Sequence, residues 1–346
     1  IVFAGFDLFF PIDCHSVPSI SVLAIYDNTL KPKKEKKLRL FPRVFSMKFL
    51  GNRYNKYNSI LINERSHCMV QLDSAILSKV IQQRPTKSHK GTFGRAVLVG
   101  GNRQFGGAIL MAAQACVYGG TGLTTVISDG VNRTALHARL PEAMFVDWQQ
   151  TELIDTVTES ADVLLIGPGL GEGKSNFDLL QRIVSAQKEH QWLVIDGSAI
   201  NLAAKYPLII PFPEQVVFTP HQMEWQRLSG LAIADQTEEN NQQAQQKLGS
   251  LVVLKSHRTQ IYGSSIAQNP LGTPAMATGG MGDTLAGMIT SFLAQFEKTE
   301  ETIHAAVYLH SLIGEALAEE HYVVLPTQIS AALPQWMKKH QAADPE

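Results

Sequence analysis

From Arg95 onward the chain alternates short, β-branched apolar runs with stretches of helical length, and this rhythm narrows the possible folds more than any other feature. The runs are Ala96 to Val99, Thr124 to Ile127, Val163 to Ile166, Leu193 to Ile195, Val216 to Phe218 and Leu251 to Leu254. Their near-continuous hydrophobicity predicts strands buried on both faces, as in parallel sheets. Gly107 to Val117, Asn176 to Lys188 and His221 to Leu228 read as intervening helices. After them Gly282 to Gln295, Glu301 to Glu319 and Gln328 to Lys339 carry apolar residues at three- and four-residue spacing. The pattern predicts an α/β fold, a mostly parallel central sheet with helices on both faces. No internal repeat or low-complexity linker follows Met69, so one domain is expected over 69–346.

Residues 1–68 read differently. The basic run Lys31 to Arg39 lies between short apolar pieces without sustained period, and this segment holds 11 Lys+Arg against 5 Asp+Glu, a net +6. It is expected to be an irregular basic extension, disordered or not native, with Met69 as a plausible true start. Residues 69–346 hold 19 basic against 26 acidic groups, a net −7, so the expected fold carries no charge surplus for a nucleic acid. The apolar periodicity of Leu72, Ile76, Val80 and Ile81 predicts a first helix running from Met69 toward Pro85.

Cys14, Cys68 and Cys116 are too scattered for a disulfide framework or a zinc site, which points to a reducing, cytoplasmic setting. No apolar run reaches the length of a membrane span, and Ile1 to Ile12 is interrupted by Asp7 and lacks a basic start.

In open α/β sheets ligands sit beyond the carboxyl ends of the strands, and three glycine-rich loops stand there. Gly100 to Ala108 has P-loop spacing, but Gly107-Ala108 replace the Lys-Ser/Thr pair that grips phosphate and magnesium, which excludes a Walker A site. Gly167-Pro168-Gly169-Leu170-Gly171 follows DVLLI and is a weaker signal. Thr278-Gly279-Gly280-Met281-Gly282-Asp283 opens directly into a helix. Backbone N–H groups of Gly279, Gly280 and Gly282 can form an anion hole at the positive helix end, with the Asp283 carboxylate in the first turn. An anion hole beside a carboxylate suits phosphoryl transfer: donors for the moving charge and a base for the accepting hydroxyl.

Nine motifs then occur in a fixed order. They are K-G-T-F-G-R (90–95), F-G-G-A (105–108), G-G-T-G-L (119–123), L-P-E-A-M (140–144), I-G-P-G-L-G (166–171), V-I-D-G-S-A-I-N (194–201), T-P-H-Q-M-E (219–224), V-V-L-K (252–255) and N-P-L-G-T-P-A-M-A-T-G-G-M-G-D (269–283). In these the chain resembles the ADP- or ATP-dependent NAD(P)H-hydrate dehydratases, the YjeF carboxyl-terminal domain type, over about Lys90 to Trp336. The resemblance implies a ribokinase-like fold and a repair reaction. Hydrated NADH or NADPH (NADHX, NADPHX) would be phosphorylated on its new hydroxyl by ADP or ATP with Mg2+, and would then lose phosphate.

By motif position, Asp283 would contact the hydrate and act as base, and Gly282 would contact the adenine nucleotide. Lys255, Ser256, His257, Arg258 and Thr259 would hold its AMP part; Ala108, Gly169 and His221 would bind the hydrate. The resemblance also implies a homotetramer acting on one epimer, with a separate epimerase supplied elsewhere, since residues 1–68 are too few for that domain.

Three segments depart from the family pattern: bulky polar residues stand among Ser256-His257-Arg258 where small ones are usual, Ser198 replaces a second acid after Asp196, and Met281 replaces a small hydroxyl residue. They keep two other readings open. One is a ribokinase-like kinase of the thiazole or hydroxymethylpyrimidine type; the other is a nucleotide-binding protein without turnover.

Overall fold

The computed structural model describes residues 69–343 and, ahead of them, two short strands, β1 (Val22–Ile25) and β2 (Ser59–Ile62). The chain divides into two units, residues 1–68 and 69–346. In the first, β1 and β2 pair antiparallel, Val22 opposite Ile62; the basic run Lys31 to Arg39 lies outside the described residues.

The second unit is built on a ten-stranded sheet. Its elements in chain order begin with β3 (Val70–Gln71), α1 (Ala75–Val80), β4 (Arg95–Val99), α2 (Gly106–Tyr118), β5 (Leu123–Ser128), α3 (Arg133–Arg139), β6 (Met144–Asp147) and α4 (Thr151–Glu159). They continue with β7 (Val163–Ile166), α5 (Lys174–Ser185), β8 (Trp192–Ile195), α6 (Ser198–Lys205), β9 (Val216–Phe218), α7 (Gln222–Ser229), α8 (Glu238–Leu248) and β10 (Leu251–Leu254). The last are β11 (Gln260–Tyr262), β12 (Ile266–Gln268), α9 (Met281–Gln295), α10 (Glu300–Ala318) and α11 (Pro326–His340). The strand order is β3-β12-β11-β10-β9-β8-β7-β4-β5-β6. Every pairing from β10 to β6 is parallel, whereas β11 pairs antiparallel with both its neighbours.

Period-2 alternation explains why these strands read as continuous apolar runs. In β4, Ala96 and Leu98 join the core beneath α2, α9 and α10, while Val97 and Val99 join the core beneath α5 and α6. β7 divides in the same way, Val163 and Leu165 to one side and Leu164 and Ile166 to the other. Both faces are therefore covered, as the alternation predicts.

One expectation is corrected. The first helix does not start at Met69: Val70 and Gln71 pair with Ala267 and Gln268 of β12, and the helix begins at Ala75. The apolar spacing from Leu72 suits the helix, but open main-chain groups on the β12 edge capture the residues before it. The short strands β3, β6, β11 and β12 carry too few apolar residues to announce themselves.

The order also reverses at one place. From β4 the chain crosses to β5 on one side and reaches β7 on the other, and the helices leaving β4 and β7 cover opposite faces. Such a switch point opens a crevice beyond the strand ends.

A local constraint fixes the start of α9. Gly280 is its N-cap at φ 92°, a left-handed conformation, and a Cβ there would collide with the Met111 thioether of α2. Gly280→Ala is expected to destabilise the fold by about 1–3 kcal/mol, measurable by urea denaturation; Gly279→Ala, where a Cβ meets open space, should change stability by less than about 0.5 kcal/mol.

Candidate functional site

Beyond the strand ends the loops interlock through main-chain contacts. Gly101 N–H donates to Pro168 O at 2.8 Å and Asn102 N–H to Gly169 O at 2.7 Å, joining the loops after β4 and β7 across the switch point. A Cβ on Gly169 would lie 3.1 Å from Ala108 Cβ, so these two predicted residues come together. Gly167, at φ 132°, leaves no room for a Cβ against Asp196 O, which ties the same loop to the end of β8.

The electrostatic centre is a lysine among acids. Lys255, at the end of β10, has a side chain only 20% exposed, and its Nζ lies 2.8 Å from Asp196 Oδ1 and 4.0 Å from Glu224 Oε2. Asp196 is buried and also accepts a hydrogen bond from Thr219 Oγ1 at 2.6 Å. Burial is the largest influence on the Lys255 ammonium and would lower its pKa, but Asp196, Glu224 and Asp283 together outweigh it and raise it. Lys255 is thus a paired interior charge, and its ammonium stays protonated.

Glu224 and His221 form the start of α7. His221 Nδ1 accepts the N–H groups of Met223 and Glu224 at 3.1 and 3.2 Å, and Glu224 Oε2 accepts the His221 N–H at 2.8 Å, a capping box. With Nδ1 an acceptor, neutral His221 carries its proton on Nε2, 3.4 Å from Glu224 Oε1. His221 therefore caps the helix with one nitrogen while half its side chain remains exposed. A bridge between His221 and Lys255 holds the two segments side by side.

The glycine-rich third loop completes the cluster. The first helical hydrogen bond of α9 runs from Thr284 N–H to Gly280 O, leaving the N–H groups of Met281, Gly282 and Asp283 as the orphan donors of the first turn. A Cβ at Gly282 would lie 3.2 Å from Lys255 Nζ, so the helix start, the lysine and its acids share one site. Asp283 is largely buried there. Burial and the neighbouring charge of Asp196, with Glu224 adding, push its carboxyl up to about 6, against the lowering influence of Lys255. A carboxylate poised near neutrality beside orphan N–H donors can take a proton from a hydroxyl while those donors hold anionic oxygens.

The remaining predicted residues lie in the turn after β10. Ser256, His257 and Arg258 are exposed, Ser256 Oγ donates to Arg258 O at 2.8 Å, and Thr259 Oγ1 donates to Ser256 O at 3.4 Å. Gly272 packs against the His257 carbonyl, bringing the loop after β12 onto this turn. Met281 packs against the core under α9, which accounts for an apolar residue where a hydroxyl is usual.

Glu224 and Thr219 were visible only as letters of a motif. Their partnership with Asp196 and Lys255 spans strands far apart in sequence and has no local signal. His310 of α10 was not singled out at all; it is buried against the Met281 backbone, and burial lowers its imidazole to about 4, so it supports α9 as a neutral group.

Among the described residues no group of three or more His, Cys, Asp or Glu could hold a metal ion, and one Asp196 oxygen is already shared by Thr219 and Lys255. Among the described residues the side chains thus offer Mg2+ no all-protein cage. Mg2+ commonly keeps its waters and binds through substrate phosphates plus one or two carboxylates.

The mostly parallel sheet with a glycine-rich helix start at its carboxyl edge is the ribokinase-like architecture seen in solved structures similar to this chain. A relative from Enterococcus faecalis, named ADP-dependent (S)-NAD(P)H-hydrate dehydratase, is 57% identical over 283 residues, covering 80% of this chain and 97% of the relative. The crystal structure of a ribokinase-like superfamily protein from Enterococcus faecalis superposes with a TM-score of 0.79 at 57% identity, covering 80% of this chain and 97% of that one. The ADP/ATP-dependent NAD(P)H-hydrate dehydratase from Bacillus subtilis, co-crystallised with ATP/Mg2+, gives a TM-score of 0.71 at 27% identity, covering 79% and 99%. The NAD(P)H-hydrate dehydratase family model matches residues 96–335, and the chain belongs to that family.

The partly buried Asp283 carboxyl makes a prediction about stability. Its pKa is raised above the ordinary 3.8, so ionisation opposes folding, and the loss of stability develops as pH rises from about 4 through about 6. Asp283→Asn should then be more stable than the parent at pH 7.5 by about 1–3 kcal/mol, with no difference below pH 4, in urea denaturation at both pH values.

Proposed function

We propose that the domain restores hydrated NADH and NADPH, with ADP or ATP as phosphoryl donor, and that it acts on the S epimer. The family membership supports this reading, and the single observation that carries the chemistry is Asp283 at the orphan N–H groups of α9, its pKa near 6. Asp283 takes the proton from the hydrate's hydroxyl as that oxygen bonds to the donor's terminal phosphorus. The bond from that phosphorus to the bridging oxygen breaks, so ADP leaves as AMP or ATP as ADP. The phosphorylated hydrate then expels phosphate as its C–O bond breaks; the neighbouring carbon loses a proton, and the ring double bond returns.

In this reading Gly279, Gly280 and Gly282 cradle the transferring phosphoryl group. The turn Lys255 to Thr259 receives the nucleotide, with His257 and Arg258 as added phosphate contacts in place of small residues. Lys255 also steadies Asp196 and Glu224 beside the reacting centre. Ala108, Gly169 and His221 line the hydrate's side. The functional unit is 69–346, the assembly a homotetramer and the setting cytoplasmic; epimerisation of the R hydrate falls to another catalyst. For the described residues, no helix is long and apolar enough to cross a membrane.

The test is spectroscopic. Protein, NADHX, Mg2+ and ADP or ATP should restore the reduced-nicotinamide absorbance and release phosphate, and kcat/KM should fall below about pH 6 as Asp283 protonates. Asp283→Asn should bind NADHX yet lose at least about 100-fold in kcat. Binding of both ligands without NADH formation would favour a sensor, and phosphorylation of a vitamin precursor instead of the hydrate would favour a kinase. Deleting residues 1–68 should leave kcat and KM unchanged.

A further inference from the structure

A cavity of about 470 Å3 lies on the same edge of the sheet, beyond the loops already described. Its walls come from the ends of four strands: Asn102 and Arg103 after β4, Asp129 after β5, Trp148 after β6, and Ser175 with its neighbours at the start of α5 after β7. It shares the first glycine loop with the candidate site. Asn102 Oδ1 accepts the N–H groups of Gln104 and Phe105, and Asn176 on the opposite wall donates to Leu170 O at 2.7 Å. The cavity is thus held by the two loops that meet at the switch point.

The direction of phosphoryl transfer says what should reach it. Attacking and leaving oxygens lie in line on opposite sides of the phosphorus, so donor and acceptor molecules must depart in opposite directions. In the reading above, on which this inference rests, the donor occupies the β10 end, over Lys255 to Thr259. The body of the acceptor then runs the other way along the strand ends, past Gly169 and Ala108. From Asp196 after β8 to Trp148 after β6 there are four inter-strand steps of ~4.8 Å, roughly 19 Å. A ligand that bridges this span needs a second nucleoside unit. The far end offers what such a unit binds: the half-buried indole of Trp148, packed behind against the core, for a purine face, a carboxylate at Asp129 for ribose hydroxyls, and the Arg103 guanidinium for phosphate.

We propose that this cavity is a distal subsite for the adenosine end of the hydrated dinucleotide, with Trp148 as its stacking residue. It gives Trp148 a role in substrate affinity and none in the chemical step.

The experiment compares NADHX with its truncated analogue, hydrated reduced nicotinamide mononucleotide, which keeps the reacting ring and lacks the adenosine half. Trp148→Ala should raise KM for NADHX roughly tenfold, with kcat within twofold of the parent and KM for ADP unchanged. Ser175→Trp, which fills the cavity from its exposed rim and leaves the core intact, should do the same. With the truncated hydrate the parent and both variants should show equal KM. If either variant harms the truncated hydrate as much as NADHX, or if neither changes KM for NADHX, the subsite proposal is overturned. A parent protein that forms no NADH from NADHX would overturn the dehydratase reading and this inference together, a result distinct from the other two.

Discussion

The Lys255 ammonium among Asp196, Glu224 and Asp283 is the interaction on which the site depends. Taking these charges out of water is costly, and only mutual pairing with additional hydrogen bonds makes the arrangement tenable. Thr219 supplies one such bond to Asp196, and the His221 N–H supplies another to Glu224. The lysine also sets the balance at Asp283. Without its lowering influence, burial and two neighbouring carboxylates would push that acid still higher; with it, the group rests near 6 and can serve as a base at neutral pH.

The sheet brings these residues together. Asp196, His221 and Lys255 follow three adjacent parallel strands, so each leaves its strand on the same edge, a few ångströms from the next. The switch between β4 and β7 adds the two glycine loops from the other direction. The candidate site then centres on the start of α9, which is held by a left-handed glycine against Met111 and by a neutral, buried His310.

Much of this was legible in the residues. The six apolar runs correspond to β4, β5, β7, β8, β9 and β10, because burial on both faces leaves a continuous signal. The helices emerged with shifts of a few residues at their ends, as when Lys174 and not Asn176 opens α5. What the pattern could not carry was pairing across distance. Val70-Gln71 joins a strand nearly two hundred residues away, and the partners of Lys255 lie just after β8 and in the first turn of α7. The T-P-H motif illustrates a subtler limit: His221 is a helix cap by its Nδ1 while about half its side chain stays exposed, so capping and ligand contact are compatible in one residue.

The interlocked glycine loops have one more consequence. Much of the candidate site's wall is main chain: Gly101 and Asn102 bond the carbonyls of Pro168 and Gly169, and Met281, Gly282 and Asp283 present the orphan N–H groups of the first turn of α9. A scan that trims side chains to alanine has nothing to remove at such positions, and would register the wall as inert. The informative perturbation is addition, since a single methyl at Gly167 or Gly169 would part surfaces that now touch. In a protein of this kind, tolerance to truncation and tolerance to growth map different anatomies.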